Sequence, residues 1–491
     1  DCYSLIDLAD WLREIQSSHS MNYLGIINEE SVEETSSFQE EIMSIQRDNE
    51  FINSKPHLRM LTNLCLYHKR EDKPVWWRLF DRIEKTDADL VDDLDCLGEL
   101  VATGNIEKIA RSTGFEYSFD NTQESKVKKG DKGLKVKQNI DLNISIHDLD
   151  SDKGLITLKS TAPELPSVLS LIPCSVISPK PISTRIEEIM NAYFQENELK
   201  TCVEHFLLRQ RPSFQNEYGQ NISQWRDSTL ESLILAVSEL NESYFCIQGP
   251  PGTGKTYSGA RIINALVKQG KKIGVASNSH KAINNMLEEV IENMNEEKIS
   301  GLVCKVHNNN EDPLYDNDRL ILKKRPNEVP IEDLSVIGGT AWTFSNDHFI
   351  DELDYLFIDE AGQVSLANMI GMSASCKNLV LIGDQMQLAN PSQGIHPENS
   401  GDSCLEYLLQ DLPTIPIDKG VLLPDSFRMH SYICNFISSR FYEKRITAVQ
   451  SNDTRIIKHT TNSIVQKSFG IEYIAIDHSG NEQASEEEAL A

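Results

Sequence analysis

Glycines, a lysine and a threonine recur at a spacing that suits phosphate binding. The segment from Gly249 to Thr256 fits the pattern G-x-x-x-x-G-K-[ST], with an apolar stretch, Tyr244–Ile247, before it and helix-forming sequence, Tyr257–Lys268, after it. Glycines let backbone N–H groups turn inward around phosphates, and the following helix N-terminus adds a positive dipole. Lys255 is expected to reach the β- and γ-phosphates, and Thr256 to hold Mg²⁺ through its hydroxyl. The predicted loop comprises Gly249, Pro250, Pro251, Gly252, Thr253, Gly254, Lys255 and Thr256.

Two adjacent carboxylates, Asp359 and Glu360, follow the apolar stretch Tyr355–Ile358 about a hundred residues after this loop. At the tip of a strand, Asp359 is expected to complete the Mg²⁺ shell opposite Thr256. Glu360 is expected to polarise the attacking water as a general base. Acidic pairs are also common on protein surfaces, but after a phosphate loop this pair predicts hydrolysis of a nucleoside triphosphate.

Two more polar positions could face the γ-phosphate. Gln387 lies in the segment Leu381–Leu388, which follows another apolar stretch, and Arg428 precedes the helix-forming segment Ser431–Tyr442. A polar group at a strand end beside the acidic pair can sense the γ-phosphate, and an arginine at a helix start can stabilise transition-state charge. Taken alone, the segment with Gln387 is equally typical of a polar loop, and Arg428 is more typical of an ordinary surface arginine.

Composition bounds the class of protein. A chain of 491 residues is long enough for two to four domains, and 39% hydrophobic and 25% charged residues are typical of a globular protein. No apolar run reaches the roughly 18 residues of a membrane span, and the first residues do not show the basic and then apolar segments of a signal peptide. The ten cysteines are scattered without C-x-x-C spacing, which argues against a zinc site, an iron–sulfur site and a disulfide scaffold and favours the cytoplasm.

The formal net charge of −28 is unusual for a nucleic-acid binder. Net charge governs solubility and long-range steering, whereas binding needs only a local positive groove. Much of the acid lies in patches such as Asp87–Asp95 and Glu288–Glu297.

The first ninety-five residues read as helices, with apolar residues at helical spacing from Leu5 to Ile15. Trp76 and Trp77 are expected in a hydrophobic core, with a base-stacking platform as the alternative. From about 96 to 178, alternating stretches such as Ile140–Ile146 and turn signals predict a small β-barrel. Its segment Lys126–Lys137 holds six lysines and one aspartate; we expect a mobile hairpin tip or a phosphate-contacting arm.

Helical sequence resumes at 183–240, and short apolar runs then alternate with helix-forming segments. This alternation predicts a parallel sheet with helices on both faces, and hence an α/β fold. The predicted strands are Tyr244–Gln248, Lys272–Ser277, Leu302–Val306, Val336–Gly339, Tyr355–Asp359 and Leu379–Gly383.

The ordered motifs resemble those of superfamily 1B helicases of the nonsense-mediated-decay group. They are G-P-P-G-T-G-K-T at 249–256, A-S-N-S-H-K-A-I at 276–283, G-G-T-A at 338–341, D-E-A-G-Q at 359–363, then G-D-Q-M-Q-L and F-R-M-H. The resemblance covers about residues 225–445. It implies a RecA-like P-loop motor domain that uses ATP and Mg²⁺ and moves 5′ to 3′ on single-stranded DNA or RNA.

Residue roles follow from the resemblance position by position. Gln387 matches the glutamine that contacts the γ-phosphate and its water, Arg428 the arginine finger, and Phe427 an aromatic that stacks on the base. The positions that match nucleic-acid contacts are Ser277, Asn278, Ser279, Thr340 and Ala341. The family's adenine-reading glutamine has no convincing match, because Gln224 lies too early before the phosphate loop. In a second departure, Ala389 replaces the usual proline after G-D-x-x-Q-L. Preference for ATP over other nucleoside triphosphates is therefore open.

The N-terminal segments His68–Phe80 and Asp92–Gly98 resemble proteins that join a RecB-like or RNase H-like nuclease to such a helicase. Asp1 would then be a last metal ligand of that nuclease, or simply a helix start. The family's final motifs are missing, so we expect a fragment cut at both ends that binds and hydrolyses nucleotide poorly. The expected domains are the end of an upstream nuclease-like domain (1–30), a helical linker (31–95), the barrel (96–178), a helical entry (179–240), a first RecA-like domain (241–412) and part of a second (413–491).

Three functions are compatible with these residues. The first is an ATP-dependent translocase or helicase, with the barrel over the nucleic-acid channel as the resemblance implies. The second is a non-translocating P-loop switch that regulates a partner and would not need the segments at 277–279 and 340–341. The third is the helicase module of a nuclease–helicase repair or defence enzyme. A GTPase is disfavoured because no N-K-x-D motif occurs, and the sequence does not show the oligomeric state.

Overall fold

A computed structural model describes residues 42, 55, 57–174, 176–215, 229–307, 317–458, 465–478 and 485–490. The chain divides into two compact units, Asp1–Arg59 and Met60–Ala491. The predictions for 1–30, including the metal-ligand role of Asp1, lie outside the described residues, as does Gln224. No helix in the described part of the chain has the length and apolar character to cross a membrane.

Helices precede the barrel, as the periodicity predicts: α1 (Leu58–Cys65), α2 (Tyr67–Glu84) and α3 (Asp87–Val91). Helix α2 buries Leu79 against Ile172 of the barrel. Trp77 of the same helix is 68% exposed and Trp76 is 38% exposed, with its ring stacked on that of Phe80. The core prediction for the two tryptophans is therefore wrong, because helical spacing does not tell which face of a helix packs inward.

The barrel is closed, with strand order β1-β2-β5-β4-β3-β6. Antiparallel pairing joins β4 to β5, so that Ile146 faces Leu158 across the predicted hairpin. The segment Lys126–Lys137 is not a mobile tip, because its residues 132–136 form β3, and Leu134 and Val136 lie in the barrel core. The strands are β1 (Leu97–Ile109), β2 (Ser112–Ser118), β3 (Lys132–Val136), β4 (Asn139–Asp150), β5 (Leu155–Ser160) and β6 (Val168–Pro173).

A second, eight-stranded sheet forms the centre of the larger unit, in the order β10-β9-β11-β8-β12-β13-β7-β14. All of its pairs are parallel, which confirms the predicted α/β fold class. The strands are β7 (Tyr244–Gln248), β8 (Ile273–Ala276), β9 (Val303–Val306), β10 (Leu320–Lys323), β11 (Val336–Gly339), β12 (Leu353–Asp359), β13 (Cys376–Gly383) and β14 (Gly420–Leu422).

Strands β10 and β14 were not predicted. Because β14 pairs with β7 at the sheet edge, the domain built on this sheet extends beyond residue 412, where the first RecA-like domain was predicted to end. A three-residue strand is too short for its sequence alone to separate it from a loop.

Helices cover this sheet and the apolar side chains between them form the main core, which includes Phe245, Val275 and Phe357. The helices of this part of the chain are α4 (Ile182–Glu196), α5 (Thr201–Leu207), α6 (Leu230–Ser238), α7 (Lys255–Lys268), α8 (His280–Glu296), α9 (Ala341–Phe344), α10 (Leu366–Ser373) and α11 (Cys404–Leu409). Beyond β14, a parallel pair, β15 (Asp425–Ser426) and β16 (Thr447–Ala448), packs with α12 (Ser431–Phe441), and α13 (Glu486–Leu490) follows. This pair stands where the second RecA-like domain is expected to begin.

Helix α2 is attached to the loop that follows β13. The carboxylate of Glu71 accepts hydrogen bonds from the backbone N–H groups of Gln393 and Gly394 and from the hydroxyl of Ser392. His396 completes this cluster, and its ring stacks on Tyr67 at 4.5 Å between centroids. Burial opposes ionisation, but these hydrogen bonds lower the pKa of Glu71 and keep it charged.

Gly383, at the end of β13, has no room for a side chain. A Cβ there would lie 2.7 Å from the backbone nitrogen of Ala361 and 3.0 Å from that of Gly362, which follow the acidic pair. We expect Gly383→Ala to cost about 1–3 kcal/mol of unfolding free energy, measured by urea denaturation, because backbone must shift to admit the methyl group. It should also weaken nucleotide binding, because Gly249 N–H donates to the Gly383 carbonyl.

Gly270→Ala is the matched comparison for this substitution. Gly270 has nothing within 4 Å of an added Cβ, although its φ is +76°. It should lose stability through its backbone conformation alone and keep nucleotide affinity. Equal nucleotide affinities in both variants would contradict the tight packing of the strand end.

Candidate nucleotide and nucleic-acid site

The backbone of the loop 249–254 requires glycine at three positions. A Cβ on Gly249 would lie 2.1 Å from Cγ of Lys255, and one on Gly252 would lie 2.2 Å from Cβ of Arg428. Gly254 has φ +80° and directly precedes the first residue of α7. The ammonium group of Lys255 donates to the Gly249 carbonyl at 2.8 Å, so it lies inside the loop. Thr256 is the second residue of α7 and is half-buried.

The acidic pair lies at the end of β12, which is flanked by β8 and β13. Asp359 is 5% exposed, and its carboxylate accepts a hydrogen bond from the Glu360 N–H at 3.0 Å. Burial, together with the neighbouring charge of Glu360, raises the pKa of Asp359 to about 6, while Lys255 acts in the opposite direction. Glu360 adopts the left-handed conformation at φ +52°, a strained state for this residue type that is frequent at functional sites.

These residues fit a nucleotide-bound Mg²⁺ ion. Within the described ranges no cluster of three or more His, Cys, Asp or Glu side chains could hold a metal ion. Mg²⁺ that binds together with a nucleotide takes one or two carboxylates, and phosphates and water supply its other ligands. The Lys255 charge acts on Asp359, so the carboxylate lies within electrostatic reach of the phosphate loop. Thr256 and Asp359 are the side chains that could hold the ion.

Gln387 lies in the turn after β13 and is half-buried. Its amide nitrogen donates to the Asp384 carboxylate at 3.0 Å, and Asp384 is itself 3% exposed. The neighbouring Gln248, fully buried at the end of β7, donates to the Gln385 side chain at 2.8 Å. The turn with the predicted sensor is thus fixed to the strand that leads into the phosphate loop.

The segment with Phe427 and Arg428 lies directly on the phosphate loop. The Phe427 N–H donates to the Gly252 carbonyl at 2.8 Å, and the Arg428 side chain is exposed. Together with Tyr257 and Pro424, these residues line a cavity of about 650 Å³ beside the loop. The Phe427 ring is 56% exposed and could stack on a base.

The predicted nucleic-acid contacts lie after β8 and β11, which are neighbours in the sheet. Asn278 and Ser279 are exposed and Thr340 is half-buried, whereas Ser277 and Ala341 are buried. The Ser279 hydroxyl accepts from Lys281 N–H and caps α8. Ser277 and Ala341 could therefore contact a ligand through their backbone, not their side chains.

A groove of about 470 Å³ lies at these same strand ends. Its lining includes Lys132, His280, His307, Lys324, Thr340 and Trp342, and we name this set the cationic groove. Lys132 comes from barrel strand β3 and the others from the motor domain, so the barrel forms one wall. Among the described residues no aspartate or glutamate lines it, although the chain has a net charge of −28.

The sequence did not single out several residues of this region. His280 lies within the motif at 276–283 but was not predicted to contact nucleic acid, and its ring centroid lies 4.2 Å from that of His307. His307 directly follows β9, whose end at Val306 was predicted, but no role was assigned to it; Lys324 directly follows β10, which was not predicted. Trp342, whose indole N–H donates to the Ser178 carbonyl, follows the predicted Thr340–Ala341 pair. Tyr257 follows Thr256 directly and carries the Arg261 guanidinium over its ring at 3.3 Å.

Residues 234–393 match the AAA domain family. The chain is 29% identical over 150 residues to DNA replication ATP-dependent helicase/nuclease DNA2 of Saccharomyces cerevisiae, a match that covers 30% of this chain and 10% of the yeast protein. It is 28% identical over 241 residues to the helicase/nuclease JHS1 of Arabidopsis thaliana, covering 45% of this chain and 17% of the plant protein. The chain thus spans less than a fifth of the length of these curated relatives.

A crystal structure of Arterivirus nonstructural protein 10, a helicase, aligns at 12% identity with a TM-score of 0.35, covering 74% of this chain and 60% of the viral one. The domain match, residues 234–393, includes the phosphate loop and the acidic pair. The chain therefore carries a P-loop ATPase domain similar to that of superfamily 1 helicases.

Proposed function

We propose that this chain is an ATP-dependent translocase or helicase that moves on a single strand of nucleic acid. The observation that carries the proposal is the arrangement of two sites on one sheet edge. The phosphate loop and the acidic pair lie at the ends of β7 and β12, and the cationic groove lies at the ends of β8, β9, β10 and β11. Ligands of parallel α/β sheets bind at the carboxyl ends of the strands.

In the nucleotide site, Lys255 would neutralise the β- and γ-phosphates, and Thr256 and Asp359 would hold Mg²⁺. The bound ion would withdraw charge from the phosphates. Glu360 would orient and deprotonate the attacking water, and Gln387 and Arg428 would contact the γ-phosphate from either side. Phe427 would stack on the base, and Tyr257 lines the same cavity.

In the cationic groove, Lys132 and Lys324 would neutralise backbone phosphates of the strand, and Trp342 would offer a ring for base stacking. Of the predicted contacts, Thr340 lines the groove, and Asn278 and Ser279 precede its lining residue His280 in the chain. A pure nucleotide switch would not need such a groove, which is why we favour a motor. The names of the relatives support DNA as the strand.

The same names, together with the resemblance of residues 68–98, support a nuclease-like domain in the parent protein. Movement 5′ to 3′ and a cytoplasmic location stay predictions. The described cysteines are buried free thiols, which fits a reducing compartment.

Hydrolysis of ATP by the 491-residue chain should be stimulated by a single-stranded oligonucleotide and lost in Glu360→Gln. The substitution keeps the size of the side chain but removes the general base, so kcat should fall by about 10²–10⁴-fold. A coupled phosphate-release assay with single-stranded DNA, RNA or neither measures this. Hydrolysis that depends on Glu360 but ignores both nucleic acids would favour the switch over the motor.

Single replacement of Lys132 or Lys324 by alanine should weaken binding of a fluorescent single-stranded oligonucleotide. Each lost phosphate contact should also reduce the slope of log K against log salt concentration by about 0.7. The control is Lys108→Ala, an exposed lysine on β1, a barrel strand that does not pair with β3. Unchanged salt slopes in both groove variants would remove the cationic groove from the proposal.

Affinity for a fluorescent ATP analogue in the presence of Mg²⁺ should fall as pH drops through about 6, because Mg²⁺ needs ionised Asp359 and a proton then competes. Glu360→Gln removes the like charge that helps raise the pKa of Asp359. The pH at which nucleotide affinity falls should then be lower in this variant, by on the order of one unit. The same nucleotide is used with the wild type and with Glu360→Gln, so its own ionisation affects both pH profiles equally. Superimposable profiles would show that Asp359 does not hold the metal.

A further inference from the structure

The Asp384 carboxylate joins two parts of the chain that each supply a predicted γ-phosphate contact. It follows β13 and is 3% exposed. Its Oδ2 accepts the Tyr442 hydroxyl at 2.6 Å and the Gln387 amide N–H at 3.0 Å. Its Oδ1 accepts the Met386 N–H at 3.2 Å and lies 3.5 Å from the Gln248 amide nitrogen.

Tyr442 reaches this carboxylate from the end of α12. It directly follows α12, the helix that begins three residues after Arg428, and it is 2% exposed. Its ring packs with Cys434 and Ile446. Burial and the adjacent Asp384 charge raise the pKa of the Tyr442 phenol, so the group stays protonated and donates its hydrogen bond.

A buried carboxylate is costly unless donors surround it. Loss of the Tyr442 hydroxyl would leave Oδ2 with the Gln387 amide as its donor, and nothing would then fix the Asp384 side chain relative to α12. The position of the predicted sensor, Gln387, therefore depends on a residue beyond Arg428. Hydrogen bonds of this kind, which join groups far apart in sequence, can couple two parts of one site.

We propose that Tyr442 is a positioning residue that aligns Gln387 with Arg428 through Asp384, and so sets how strongly the site prefers a triphosphate over a diphosphate. This inference rests on the proposed ATP-dependent function. It assigns Tyr442 no contact with the nucleotide. The phenol acts through Gln387, and the backbone of α12 connects it to Arg428.

The test compares two dissociation constants on the 491-residue chain with Mg²⁺, one for fluorescent ADP and one for the fluorescent β,γ-imido analogue of ATP. Tyr442→Phe removes the hydroxyl and keeps the ring in its packed position. We expect the ratio of the ADP constant to the analogue constant to fall about threefold to tenfold, the range of one hydrogen bond. Tyr432→Phe is the matched control, since Tyr432 lies on α12 with 53% exposure and should leave the ratio unchanged.

A double-mutant cycle separates positioning from simple structural support. If Tyr442 acts through Gln387, Tyr442→Phe should change nothing further in a Gln387→Ala background. The inference would be overturned if the effects of Tyr442→Phe and Gln387→Ala on the ratio multiplied in the double variant. An unchanged ratio in Tyr442→Phe, or an equal loss of affinity for both nucleotides, would also overturn it. If Tyr442→Phe does not fold, Asp384→Asn replaces it, and the same loss of the ratio is expected.

Failure of the proposed function gives a different result. If the wild-type chain hydrolyses ATP without response to nucleic acid, the proposed motor function is contradicted. The ratio of the two nucleotide dissociation constants can still be measured in that case. A wild-type chain with no preference for the triphosphate analogue would overturn the inference itself, because Gln387 would then sense nothing.

Discussion

Parallel pairing throughout the eight-stranded sheet is the constraint on which the two sites depend. Because every strand runs the same way, all carboxyl ends meet at one edge, and each loop that leaves a strand begins there. Four features lie at this edge: the phosphate loop, the acidic pair, the Asp384 turn and the cationic groove. An antiparallel strand among them would have moved its loop to the opposite edge and broken one of the sites.

Strand order then divides this edge by charge. The strands β7, β12 and β13 carry the phosphate loop and three buried or partly buried carboxylates, whereas β8 to β11 lead into the lysines and histidines of the groove. The boundary falls between β8 and β12, where the Asn278 side chain donates to the Gln363 carbonyl. Asn278 directly follows the β8 loop residue Ser277, and Gln363 lies three residues after Glu360. One hydrogen bond therefore connects the predicted nucleic-acid contacts to the turn after the acidic pair.

Local spacing was sufficient to predict the phosphate loop, the acidic pair and the fold class, since in each case neighbouring residues carry the signal. It failed where the partner lies far along the chain. The Tyr442 contact with Asp384 spans 58 residues and the Glu71 contact with Gly394 spans 323, and no periodicity marks either residue. It failed also at Trp77, because an amphipathic pattern predicts a helix but does not specify which neighbour covers it. The cationic groove required tertiary structure, since Lys132 comes from the barrel.

Two buried carboxylates, Asp359 and Asp384, lie at adjacent strand ends. The number of hydrogen-bond donors around each distinguishes a structural role from a chemical one. Asp384 receives hydrogen bonds from the phenol of Tyr442, the amide of Gln387 and a backbone N–H, so protein groups compensate its charge. In the described part of the chain, Asp359 accepts a hydrogen bond only from Glu360 N–H, and its pKa is raised to about 6. A buried carboxylate with so few donors is stable as an anion only beside a cation. Lys255 supplies part of that positive charge, and a Mg²⁺ ion held with the nucleotide would supply the rest. The shortage of donors around Asp359 thus favours a metal ligand, and the full set around Asp384 favours a junction that fixes the sensor.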